Sequence, residues 1–272
     1  MDTASDDKQL FDVAPPPSLP DRILALAGDF ARHHDLLADH RLNTPSSASQ
    51  LTAPRTSAER LVRLTRDLLH EITAALPRHR PLVRDCTARL RQLTHLTEMA
   101  AAQLDGLQRT LETGAPATHS TAITGARALT RLAAEDLTTC AAAVAHELRA
   151  RGIQDLSTQA LPLSTTENDA LSAVACGHVA LNDPQKSPSV ESRVPVAIKT
   201  LRGLAAQGLI ESVPIPRAYD WLEQDRLHLT DTGRAHLAGL ASRPTSAAPT
   251  AARLLSATPA ASPAPGPAVP RR

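Results

Sequence analysis

Aromatic rings are almost missing from this sequence: Phe11, Phe30, Tyr219 and Trp221 are the whole set among 272 residues. A β-sandwich, which draws on aromatic and β-branched residues, is a poor match to such a chain. Leu, Ala, Val and Ile in helical stripes match it well. Charge of one sign is missing too. The formal net charge is +1, so no global field draws the chain to nucleic acid or to an anionic membrane, and any such binding has to be local. Cysteine is sparse: Cys86, Cys140 and Cys176 lie far apart, with no CxxC pair and no histidine at ligand spacing. That pattern argues against a disulfide framework and a zinc site, and for a reducing compartment. No run approaches the roughly 18 apolar residues of a membrane span. The opening MDTASDDKQLF is acidic where a secretory leader would be basic and then apolar. The expectation is a cytoplasmic protein without membrane contact.

Catalytic signatures are also lacking. The chain has no GxxxxGK[ST], GxGxxG, GxSxG or HExxH, the patterns that cradle phosphates, expose a nucleophile or bind catalytic zinc. His33 and His34 are adjacent and point to different sides of a helix, His79 and His95 fall on polar helix sides, and His228 and His236 flank a strand-turn region. Cys86 and Cys140 fall on apolar stripes, as small buried thiols do. No enzyme, no cofactor and no metal site are expected.

What is present is organised in segments. Residues 1–19, 43–55 and 242–272, rich in Pro, Ala, Ser and Thr, read as disordered ends and a flexible linker, because they have too little periodic apolar surface to offset the entropy of ordering. Residues 20–41 place Pro20 at a helix start and Ile23, Leu26, Ala27, Phe30 and Leu37 at helical spacing, which predicts a docking helix. Thr56 and Glu59 have capping-box spacing before a helix carried by Leu61, Leu64, Leu68 and Ile72, stopped near Pro77 and Pro81. Val83, Cys86, Leu90, Leu93, Thr97, Ala100, Leu104, Leu107 and Leu111 alternate spacings of three and four, a coiled-coil-like seam ending near Gly114 and Pro116. A third helix, with Ala126, Leu129, Ala133, Leu137, Cys140, Val144 and Leu148 on one side, runs to Gly152. Residues 20–152 therefore read as a helical bundle or antiparallel coiled coil, either closed within one chain or forming a homodimer through residues 83–148.

Residues 164–241 change character. Ser164 and Glu167 open a helix ended or kinked by Gly177, and a polar connector with Pro184 and Pro188 follows. Val194, Ile198, Leu201, Leu204 and Ala205 then line one face of a helix from Val194 to Gln207, with Lys199, Thr200 and Arg202 on the other and Gly208 as its cap. LIESV and RLHLT read as two strands joined by a loop, and DTGRAHLAGLAS as a closing helix. "LRGLAAQGLIE" resembles the end of the recognition helix in bacterial winged helix-turn-helix regulators of the multiple-antibiotic-resistance type. "RLHLTDTGRAHL" resembles their second wing strand and following helix. The resemblance covers about 80 of the 272 residues and implies a winged-helix-like domain with a two-stranded wing, so that the whole protein is mainly α. It also implies double-stranded DNA as partner, with Lys199, Thr200 and Arg202 as base readers and Arg193 and Arg217 as phosphate contacts. Where such domains carry a helix between the first and the recognition helix, this chain has the two prolines, which predict a single turn or an extended excursion. Residues 164–242 hold seven basic and nine acidic side chains, so affinity for duplex would rest on local clustering or on a dimer. A protein-interaction adaptor of the same fold, and a small-molecule sensor, are the other two classes this sequence allows. In them the basic face is only solvated, and Tyr219 and Trp221 serve as core cover or partner contacts.

Overall fold

The computed structural model describes residues 16–42, 47–113, 119–153, 161–182, 189–215 and 224–241. Helices come first: α1 (Leu19–Leu42), a 3-10 turn (Ala48–Leu51), α2 (Thr52–Ala75), α3 (Pro81–Thr113), α4 (His119–Thr130) and α5 (Ala133–Ala150). They are followed by α6 (Thr165–Ala175), β1 (Val179–Asn182), β2 (Ser189–Ser192), α7 (Ile198–Ala206), β3 (Ile210–Pro214), β4 (Gln224–Leu229) and α8 (Asp231–Ala241). The fold is mainly helical, with one small antiparallel sheet in the order β2-β1-β4-β3.

The stripes read from the sequence are the core. Ile23, Leu26, Ala27, Phe30 and Leu37 of α1 are all buried, as are Val83 through Leu107 at the seam positions of α3, with Leu111 half-buried. Each such leucine stabilises the fold by about 2 kcal/mol through apolar area withdrawn from water. The α3 seam is covered by α2, α4 and α5 of its own chain. The face that a second copy would have needed between residues 83 and 148 is therefore occupied internally. One apolar cluster joins α1, α2, α3 and α5 to α6, α7, α8 and the sheet, so the helical segment and the mixed segment share a core. A smaller cluster gathers Leu37, Leu51, Ala58, Ala100, Leu104, Leu107, Ile123 and Ala126.

Several local expectations are corrected. Of the expected linker 43–55, residues 48–51 form the 3-10 turn and the rest from Thr52 is helical, because Leu51 drops fully into the smaller core. Thr56 is thus inside α2, not its cap. The chain is turned earlier, where the Ser47 amide donates to Gln50 Oε1 at 3.3 Å, and Glu59 instead accepts from Arg55 Nε at 2.9 Å. Pro54 sits in the first turn of α2, where a missing N–H costs nothing. The single helix expected up to Gly152 is two, broken at Arg131 and Leu132. The Arg131 amide bonds to Ala128 O, an i−3 contact, at the break. The break falls where the stripe passes from the smaller core to the larger one. Gly114 and Pro116 lie outside the described residues.

Three helix stops do follow the sequence. After α5, α6 and α7 come Gly152, Gly177 and Gly208, all with φ near +68° to +69°, a left-handed conformation that favours glycine. Each makes the same pair of bonds: Gly177 to Val174 O and His178 to Ala173 O, Gly208 to Ala205 O and Leu209 to Leu204 O, with Gly152 and Ile153 alike. The Ser164 capping box is also formed, with Glu167 N donating to Ser164 Oγ at 3.3 Å and Ser164 N to Glu167 Oε2 at 2.8 Å. Between α6 and α7 the described residues form β1 and β2, not a helical turn. The prolines there remove amides that a helix would need.

The LTDTGR run acts as a clasp. The Thr230 hydroxyl donates to Gly208 O at 2.6 Å and accepts from Gly233 N at 3.1 Å, while the Thr230 amide reaches Leu209 O at 3.1 Å. One residue thus fastens the end of α7, the end of β4 and the start of α8. Gly233 is required by contact, since a Cβ there would stand 2.0 Å from Leu209 O.

Candidate functional site

α7 is the element put forward by the sequence, and its length sets what it can present. It starts at Ile198, not Val194, and buries Leu201 and Leu204 while packing against α6 and β3. Val194 precedes the helix and is 41% exposed, and Ala205 is exposed as well, so neither belongs to the buried face. A nine-residue helix spans about 13 Å and offers one short exposed face. Lys199 and Arg202 stand on it three residues apart, both exposed, with Thr200 half-buried beside them. Neither cation enters a hydrogen bond or ion pair among the described residues. The structure therefore brings Lys199, Thr200 and Arg202 together. Arg193 lies just past β2, exposed, at the rim of a cavity. Arg217, Tyr219 and Trp221 lie outside the described residues.

That cavity, of about 290 Å³, was not legible in the sequence. Its walls come from α1, from the end of α4 and the turn after it, from the start of α5, and from the sheet. They bring together His34, Arg127, Arg131, His178, Arg193 and Arg226. Arg226 is anchored: Nε and Nη2 donate to the two Asp35 carboxylate oxygens at 3.1 and 2.7 Å, and Nη1 to Gly177 O at 3.1 Å. Glu191, also on the wall, accepts from Gln224 Nε2 at 2.7 Å, and the same amide reaches Asn182 Oδ1 at 2.8 Å. A single buried Gln224 thereby links β2, β1 and β4. Four arginines against two carboxylates leave the lining at +2 with its histidines neutral. They are held neutral: burial first, and then Arg127, keep the His34 pKa at about 4. Burial first, and then Arg193, lower that of His178.

Other titratable groups are consumed by the core. His33 Nδ1 lies 3.0 Å from Ser57 Oγ, and burial holds its pKa at about 4. His228 and His236 are buried, and His228 is likewise held at about 4, mainly by burial. Cys86 and Cys140 meet in the larger core, where the contact with Cys86, and then burial, push the Cys140 thiol up. Among the described residues no three His, Cys, Asp or Glu side chains converge as metal ligands, and no helix is long and apolar enough to cross a membrane. An open groove of about 470 Å³ runs between α6 and Val194–Val196, lined by Ala170, Ala173, Cys176 and Val194 among others.

Comparison with known proteins found no matching family model, no matching curated protein and no matching solved structure.

Proposed function

We propose that residues 164–241 are a winged-helix-like DNA-binding domain in which α7 enters the major groove, with Lys199, Thr200 and Arg202 as its readers. The observation that carries this reading is the exposed, unpaired basic face of α7, held by a helix whose other side is locked into the core. Support also comes from connectivity. The strand after α6 pairs with β4, and β4 pairs with the strand that follows α7, so the two strands expected to form the wing lie side by side in one antiparallel sheet. Here β1 and β2 stand where such a domain has its second helix. Arg193, five residues before α7, and Arg217, between β3 and β4 in the sequence, are the phosphate contacts of this reading. Two base-reading cations and two phosphate contacts give modest affinity, so a paired arrangement through a surface other than the α3 seam would strengthen it.

The test is binding of the full chain to mixed genomic duplex fragments at about 50 and about 200 mM salt, beside Lys199→Ala/Arg202→Ala. Each phosphate contact contributes about 0.9 to the salt slope, and loss of each base reader weakens binding by about 1–3 kcal/mol. Salt-sensitive binding that the folded variant loses supports the reading; a folded wild type that fails to bind at the lower salt removes it. That second result would favour a protein-interaction module, for which the groove beside Val194 is the surface to mutate.

A further inference from the structure

We propose that the arginine-lined cavity between α1, α4 and the sheet is a binding site for a small anion bearing phosphate or carboxylate groups, held by Arg127, Arg131, Arg193 and Arg226. Stoichiometry of charge is the first argument. The two carboxylates on the wall are already engaged, Asp35 by two bonds from Arg226 and Glu191 by Gln224. The side chains of Arg131 and Arg193 make no hydrogen bond or ion pair among the described residues. Guanidinium groups present planar forks of donors that match carboxylate and phosphate oxygens.

Shape is the second argument. The volume, about 290 Å³, is at the lower end of ligand pockets. It suits a small metabolite or inorganic polyanion and is too confined for a polymer chain. Part of the wall is apolar, with Phe30 and Ala134 buried beside the charged groups, which lowers the local dielectric and strengthens an ionic contact. The neighbouring histidines respond to the same charge. His34 and His178 both have lowered pKa values, through burial first and then arginine charge, which the Asp35 and Glu135 carboxylates offset only in part. Neither imidazole then competes for the site as a cation, and each keeps an N–H to donate. The walls include Asp35 and Arg226, 191 residues apart in sequence, so an occupant would hold the helical and mixed segments together.

The experiment is thermal unfolding and titration calorimetry on the full chain with two probes, inorganic pyrophosphate and citrate, each against sodium chloride at equal ionic strength. The arms separate phosphate from carboxylate preference. Saturable stabilisation by at least one probe is expected, weakened about tenfold or more in Arg131→Gln/Arg193→Gln. Arg63→Gln/Arg91→Gln, two exposed arginines elsewhere, should leave it unchanged. If the double variant does not fold, Arg131→Gln alone carries the same comparison. A wild type that responds to neither probe beyond chloride overturns the proposal, as does an equal loss in the Arg63/Arg91 variant.

Discussion

Arg226 in β4 donates two hydrogen bonds to the carboxylate of Asp35 in α1 and a third to the carbonyl of Gly177, the glycine that ends α6. The pair is largely shielded, with side-chain exposures of 19% and 11%, and it fastens the sheet to α1. Removing one member strands the other charge in a poorly solvated place. Arg226→Ala and Asp35→Ala should each lower stability by about 3 kcal/mol, measured by urea unfolding. The double variant should lose clearly less than the sum of the two. Additive losses would show that the pair contributes little coupling.

Gly233 and Gly239 lie in the same helix and should respond oppositely to alanine. A Cβ at Gly233 meets Leu209 O at 2.0 Å, whereas one at Gly239 meets nothing within 4 Å. Gly233→Ala should cost about 3 kcal/mol or unfold the C-terminal segment, while Gly239→Ala should be neutral or stabilise by up to about 1 kcal/mol. Circular dichroism melts of the two variants check the contrast.

Stability should fall on mild acidification. His33, His34 and His228 are each held at a pKa of about 4, mainly by burial, against an ordinary 6.5. The unfolded chain therefore takes up protons first as pH falls. The stability they contribute is complete above pH 6.5, declines between 6.5 and 4, and is gone below. For the buried His33 and His228 the loss by pH 5 is about 2 kcal/mol each. Urea midpoints at pH 7 and pH 5 measure it, and His228→Gln should flatten the difference relative to wild type.

Ser164→Ala tests the start of α6. It removes the oxygen that accepts the Glu167 amide and the partner that holds the Glu167 pKa low. The expected cost is about 1 kcal/mol, with Ser164→Asp restoring most of it. An alanine variant as stable as wild type would mean that packing alone sets this boundary.

Helix content, stripe residues and stops were open to reading in the sequence, because each depends on neighbours three or four positions away. The α3 seam, the Ser164 cap and the glycines after α5, α6 and α7 are such features, as is the placing of Lys199 and Arg202 opposite Leu201 and Leu204. Where helices begin and break was less open. Leu51 draws the expected linker into helix by dropping into a core built from α1, α3 and α4, and no local pattern announces that. The partition of α4 from α5 likewise follows from which core each stripe reaches.

The cavity shows the limit most clearly. His34, Arg127, Arg131, His178, Arg193 and Arg226 have no common spacing, and each alone reads as a solvated charge or a core histidine. By itself the sequence determined a helical, aromatic-poor chain with a short basic helix face, since periodicity and glycine stops are local physics. Only the tertiary structure decided that the α3 seam is closed within the chain and that distant arginines meet around one space, because burial and the summing of charges depend on distance in space, not along the chain.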